Sequence, residues 1–261
     1  MQLTVWITGA SSGIGEALAL EYAKLNANLI LSARNEETLQ PVADRCQNQN
    51  NTVLILPLDL SESKDFASKL QIIKQNFDKV DILINNGGIS QRSLIIETPL
   101  EIDRKLFEVN YFGTIALTKL VLTWMIETGG GKMVVISSIS GKFGFPFRAS
   151  YAATKHALIG FFETLGLEHI SDNIQTTVVC PGRIRTNISL RALNNKGETT
   201  NEMDPGIKDG MPAKECALKI IKAIRKNKRE VWIGRKELLL VYFHQYIPRL
   251  FWAIAPKIDP K

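Results

Sequence analysis

Seven short apolar runs recur along this chain, each but the last followed by a stretch of helical periodicity, and that alternation leaves few architectures open. The runs fall at 3–7, 28–32, 52–56, 81–85, 132–136, 176–180 and 230–233. They are apolar nearly throughout rather than at every second residue, as a parallel strand covered on both faces requires. Helical patterns at about 13–24, 35–49, 62–76, 99–127, 151–170 and 212–226 fill the gaps. The alternation predicts an α/β fold, a doubly wound, seven-stranded parallel sheet with helices on both faces and ligands at the carboxyl ends of the strands. At 261 residues the chain can be one such domain.

The first strand–helix junction carries a signal for anion binding. The run Leu3 to Ile7 leads directly into Thr8-Gly-Ala-Ser-Ser-Gly-Ile-Gly15, and helical periodicity begins at once. Strand, glycine-rich turn and helix place a pyrophosphate against backbone N–H groups at the positive end of a helix dipole. Gly9, Gly13 and Gly15 let the backbone come close to such a group, and Ser11, Ser12 and Ile14 belong to the same turn. The glycine spacing differs from the commoner Gly-x-Gly-x-x-Gly.

A second signal lies in Tyr151-Ala-Ala-Thr-Lys155, thirteen residues after Ser138. On a helix, this spacing puts the phenol and the ammonium one turn apart on one face. A free tyrosine has a pKa of roughly 10, and a nearby cation lowers it toward the working range of a proton carrier. Ser138 ends the strand Val134 to Ser137, where a hydroxyl can face the ligand crevice. Ser137 should point the other way.

Together these motifs resemble the short-chain dehydrogenase/reductase family over nearly everything from Leu3 to Ile233. The match includes Thr8-Gly-x-x-x-Gly-Ile-Gly15, Asp59-Leu60, Asn85-Asn-Gly-Gly88, Asn110, Ser138, Tyr151-x-x-x-Lys155 and Pro181-Gly182. The segments Asn85 to Ser93 and Trp232 onward are most similar to its branch called dehydrogenase/reductase member 7. Most of the family has alanine where this chain has Gly87. The resemblance implies a single-domain Rossmann fold and hydride transfer between NADP(H) and a carbonyl or secondary alcohol. It further implies that Tyr151 is the general acid or base and that Ser138 binds the substrate oxygen. Lys155 would lower the tyrosine pKa and hold the nicotinamide ribose, while Asn110 would hold a relay water. For the cofactor it implies the glycine turn, Asp59 and Leu60 at adenine, Asn85 at the adenine ribose with Gly87 also among the cofactor-binding residues, and Pro181, Gly182, Ile184 and Thr186 at the carboxamide end.

The kind of dinucleotide turns on Arg34. The run 28–32 leads into Ala33-Arg34, where an NAD enzyme usually presents an aspartate. An arginine fork can hold a 2′-phosphate, and the expectation is NADP(H) over NAD(H). Ser12 stands where several NADP-binding relatives carry a basic residue.

Two regions break the alternation. Residues 187–210 are polar, loop-like and long enough to serve the substrate, with apolar Ile188, Leu190, Leu193, Met203 and Met211 suggesting a lipophilic one. The tail, about 235–261, mixes leucines and aromatics with Arg249, Lys257 and Lys261. It reads as a lid over the crevice, with an interfacial membrane anchor as the competing reading. Residues 207–261 carry a net charge of +8 against +6 for the whole chain, so the basic balance belongs to this end. No aromatic-interleaved basic platform or recognition-helix pattern points to nucleic acid. Cys46, Cys180 and Cys216 form no metal or disulfide framework, which suits a reducing, cytoplasmic setting. No metal site is expected, since His156, His169 and His244 stand far apart. Family members pair their long helices, here 99–127 and 151–170, across a two-fold axis, so a homodimer or homotetramer is expected. A 3-oxoacyl-carrier-protein reductase shares every motif and is the alternative within enzymology. A nucleotide-sensing binding protein is the alternative outside it, although such members usually lack the tyrosine or lysine.

Overall fold

A computed structural model describes residues 2–257. The main sheet has seven parallel strands: β1 (Thr4–Thr8), β2 (Asn28–Ser32), β3 (Val53–Ile55), β4 (Ile82–Asn85), β5 (Gly131–Ile136), β6 (Ile174–Pro181) and, two short strands later, β9 (Glu230–Ile233). Their order across the sheet is β3-β2-β1-β4-β5-β6-β9. β7 (Ile184–Arg185) and β8 (Met211–Pro212) form a separate two-stranded ribbon.

Within each strand, successive side chains enter opposite layers, because the strand period is two. Val5, Ile7, Leu29, Leu31, Ile82, Ile84, Val134 and Ile136 face one apolar layer. That layer is covered by α1 (Gly13–Ala23), α2 (Glu36–Cys46) and α8 (Ala213–Arg225). Trp6, Ile30, Leu83, Met133 and Val135 face the other. There α3 (Phe66–Asn76), α5 (Gly113–Glu127) and α6 (Ala149–Glu168) supply Leu70, Leu117, Val121 and Phe162. Both faces being dry, no polar alternation survives in the strands.

β1 is flanked by β2 on one side and β4 on the other, so the direction of winding reverses there. A crevice opens at such a point beyond the carboxyl ends of the strands.

Three elements differ from the sequence expectation. The helix expected over 99–127 is α4 (Leu100–Phe107), a π-helical turn at Glu108–Phe112 and then α5. The loop over 187–210 contains a short helix, α7 (Pro205–Lys208), started by Asp204, whose side chain accepts from the Gly206 N–H at 2.8 Å. The tail folds as α9 (Leu238–Tyr246) and α10 (Pro248–Ile254), with Pro248 opening the second helix rather than only breaking the first. Lys261, counted among the tail's cations, lies outside the described residues.

Candidate active site

The glycine turn follows β1. Gly9 has a positive φ of 63°, and a Cβ on it would come 2.8 Å from the Gly87 Cα. A Cβ on Gly15 would sit 2.2 Å from the Gly9 carbonyl oxygen, so α1 packs directly on the turn. Larger residues at either place would push helix and turn apart. Ser12 caps α1 in extended geometry and makes no side-chain capping bond. The first-turn N–H groups of a helix have no intrahelical acceptors, so here they remain available to an anion. This cradle fits a dinucleotide pyrophosphate. Thr186 lies against it, with its Cγ2 3.0 Å from where a Gly13 Cβ would stand. Ser11 and Ile14 are half-buried in the same turn.

The other residues expected at the cofactor are dispersed around this turn. Arg34, beyond the end of β2, is exposed. Asp59 is half-buried, its Oδ1 accepting from the backbone N–H of Ser61 at 2.9 Å and from its hydroxyl at 2.7 Å. Leu60 is buried and packs against Gly87. Pro181, Gly182, Ile184 and Thr186 line one cavity with Ile14.

Asn85 departs from its expected position. As the last residue of β4 it points into the helix layer, where its Nδ2 donates to Thr118 Oγ1 on α5 at 3.1 Å. Strand alternation turns its neighbour Asn86 to the crevice instead. Asn86 Nδ2 donates to the carbonyl oxygens of Thr8 and Gly9 at 3.0 and 3.1 Å, tying β4 to the glycine turn. The doublet Asn85-Asn86 is visible in the sequence; which member faces the crevice depends on the register of β4.

Ser138, Tyr151 and Lys155 line the same cavity, which has a volume of about 150 Å³. β5 stops at Ile136, so Ser138 begins a 3₁₀ turn rather than ending the strand, and its Oγ accepts from the Ser140 N–H at 3.1 Å. Ser137 turns away and donates to the Lys155 carbonyl at 2.9 Å. Tyr151 and Lys155 share a face of α6, with the Nζ 5.7 Å from the phenol ring centre. Both are buried, at 8% and 5% exposure.

Burial sets the protonation of this pair. It raises the Tyr151 phenol above its ordinary value, opposed by the charge of Arg148 and by a hydrogen bond from Ser138. Lys155 is pushed down to about 8, because burial penalises the ammonium. Its Nζ donates to the Ile136 carbonyl at 2.8 Å. The charge of Arg148, at the start of the same helix, thus also bears on the phenol.

Asn110 sits in the π-helical turn and is fully buried. Its Oδ1 accepts from the Ile89 N–H at 2.8 Å and its Nδ2 donates to the Ile89 carbonyl at 2.9 Å. The amide thus pairs with the loop after β4 as a strand backbone would. A Cβ on Gly88 would meet Asn110 Oδ1 at 3.0 Å and Lys155 Nζ at 3.8 Å, so both side chains reach the backbone of Gly88.

A model of the family described as short chain dehydrogenase matches residues 3–196. The chain belongs to the short-chain dehydrogenase/reductase family. Dehydrogenase/reductase SDR family member 7 of Homo sapiens is 41% identical, covering 99% of this chain and 78% of its own. Member 7B of Mus musculus is 38% identical over 96% of this chain and 79% of its own. A short chain dehydrogenase/reductase from Burkholderia phymatum, solved in complex with NAD, shares the fold at a TM-score of 0.85 and 21% identity, covering 100% of this chain and 96% of its own. A 3-ketoacyl-ACP reductase from Sinorhizobium meliloti superposes with a TM-score of 0.76 at 28% identity, covering 88% and 96%. This short-chain dehydrogenase/reductase is accordingly an oxidoreductase that uses a nicotinamide dinucleotide on a small molecule.

Five charged residues of the cavity escape a reading of the sequence: Arg92, Arg148, Arg183, Asp204 and Glu237. Arg148 stands three residues before Tyr151 at the start of α6, a spacing that could have flagged it. Asp204 lies far off in sequence, and nothing local marks it.

Proposed function

We propose that the chain is an NADP(H)-dependent carbonyl reductase or alcohol dehydrogenase in which Ser138, Tyr151 and Lys155 do the chemistry. The convergence of these three buried side chains on one cavity beside the glycine turn carries the reading. The nicotinamide, when bound, supplies or accepts the hydride. Ser138 donates a hydrogen bond to the substrate oxygen and stabilises the alkoxide as it forms. Tyr151 delivers a proton to that oxygen in reduction and removes it in oxidation. Lys155 holds the ribose hydroxyls and, once charged, steadies the phenolate. Asn110 holds the loop at Ile89 and carries a relay water toward Lys155.

The preference for NADP(H) rests on Arg34, exposed at the end of β2 where a 2′-phosphate would be held. Phe143, Phe145, Ile188, Ile207 and Leu240 give the cavity apolar walls, which supports a lipophilic body for the substrate. The tail acts as a lid: Glu237 Oε1 accepts from the Arg183 N–H at 2.9 Å, beside Pro181-Gly182, and Leu240 reaches the cavity. A homodimer would cover the exposed Phe112 of the π-helical turn, Ile126 of α5 and Leu167 of α6.

Tyr151→Phe tests the mechanism. It removes the proton donor and keeps the ring, so ketone reduction should fall at least ~10²-fold while NADPH affinity is retained. Steady-state kinetics beside fluorescence titration measure both. Wild-type turnover in this variant would overturn the assignment.

A further inference from the structure

The turn that leaves β6 is fastened from the tail. Pro181 pairs with Ile233 of β9, and the Gly182 N–H donates to the Ile233 carbonyl at 2.8 Å. β6 ends at Pro181, and the Arg183 N–H takes its acceptor outside the sheet, from Glu237 Oε1 at 2.9 Å, 54 residues on. Glu237 stands immediately before α9 yet makes no side-chain capping bond to that helix. The backbone around it leaves room for the carboxylate. A Cβ on Gly182 would collide with Glu237 Oε1, and one on Gly234 would come within 2.8 Å of the same atom. Neither glycine has a positive φ, so what their missing side chains supply is space for the carboxylate rather than a special backbone turn.

Arg183 passes this restraint on. Its carbonyl accepts from the Met211 N–H of β8 at 2.8 Å. Its guanidinium lies on the backbone of α7, where a Cβ on Gly206 would meet Cζ at 2.5 Å. The residue is thus held by the tail at its N–H, by the ribbon at its carbonyl and by the substrate loop at its side chain. β7 begins at the next residue and delivers Ile184 to the cavity wall, with Thr186 against the glycine turn. The direction in which the chain leaves Gly182 is therefore set at Arg183. A carboxylate accepting from a backbone N–H makes the stronger kind of hydrogen bond. Misplacement of a positioning group by an ångström is enough to spoil a bound geometry.

We propose that Glu237 is a positioning residue for the nicotinamide end of the cofactor, its carboxylate fixing the turn Pro181-Gly182-Arg183 so that the tail completes the cofactor site as well as covering the substrate. This rests on the reading of that turn as the carboxamide end of a dinucleotide site. Glu237 acts through Arg183, and the glycine turn that takes the pyrophosphate is built without it. The two ends of the cofactor should therefore respond differently to its loss.

The test compares NADPH with 2′-phospho-ADP-ribose, which lacks the nicotinamide, by calorimetric titration of the full chain. Glu237→Ala should weaken NADPH roughly tenfold, as for one charge-assisted hydrogen bond, and leave 2′-phospho-ADP-ribose unchanged. Glu237→Gln keeps an acceptor oxygen at the same reach and should restore most of the loss. Phe251→Ala loosens the packing of α10 but leaves Glu237 in place, so both dissociation constants should stay as in wild type. NADPH bound no tighter than 2′-phospho-ADP-ribose in wild type would overturn the proposal. So would equal weakening of the two ligands in Glu237→Ala, or the same selective loss in Phe251→Ala. Reduction of an apolar ketone is followed in parallel. A nicotinamide-selective loss in a protein that reduces no ketone would uphold the role of Glu237 and refute the carbonyl-reductase reading. Ketone reduction with both constants unmoved by Glu237→Ala would refute Glu237 and leave that reading standing.

Discussion

Tyr151 and Arg34 lie at opposite ends of what a single residue can reveal. The Tyr151–Lys155 spacing fixes a shared helix face, so the neighbourhood of that pair is legible in the sequence alone. That Arg148 pairs with Asp204, contributed by the loop before α7, is not legible, because the two lie 56 residues apart. Asn85 misleads for a similar reason. Two adjacent asparagines at a strand end face opposite ways, and only the register of β4 on β1 and β5 decides which one meets the ligand. Arg34 is a cleaner case, because it stands exposed just beyond a strand end. A phosphate contact there is worth roughly 1.5–3 kcal/mol, or about ten- to a hundredfold in affinity. Arg34→Ala should weaken NADPH by that factor and leave NADH nearly unchanged, as titration of both will show. An unchanged NADPH affinity would make Arg34 a solvated surface residue.

Among the elements, the strands are legible to within about two residues and the helices to within about four, because dry parallel strands and amphipathic helices leave unlike periodicities. The π-helical turn at Glu108–Phe112 is not legible. One extra residue per turn leaves the apolar pattern almost intact, while the driving force, an asparagine amide pairing with Ile89, is a long-range contact. The tail is similarly opaque. Its aromatics suit a membrane surface or a protein crevice equally well, and contact decides between them. Phe251 is 2% exposed and meets the Phe143 ring at 5.3 Å between centres, while Val241 completes the same small cluster. Phe143 in turn lines the cavity. Phe251→Ala should cost roughly 3 kcal/mol of packing in α10 and should raise KM for an apolar ketone several-fold. NADPH affinity should be unaffected, since no residue of this cluster belongs to the glycine turn. A KM equal to that of wild type would leave the tail as a fastening with no part in the pocket.

For the whole molecule, the exposed apolar residues on α5 and α6 matter most. Ile126 of α5 is 36% exposed and Leu167 of α6 63%, on two helices whose other faces pack on the sheet. A second copy is the simplest cover, through a two-fold interface. Analytical ultracentrifugation at micromolar concentration should give a species of twice the 29.1 kDa chain mass or more, and Leu167→Glu should shift it toward monomer. A single monomeric species in the unaltered protein would refute the pairing. The order of the strands has a consequence of another kind, for the birth of the molecule. β6 is complete at Pro181, yet the strand that closes its outer edge, β9, is not complete until Ile233. A ribosome must therefore translate the substrate loop and α8 while the nascent sheet shows an unpaired edge at Val178, Val179 and Cys180. Such edges recruit other strands. The chain is most exposed to mispairing, and most in need of a chaperone, during that interval of its own synthesis.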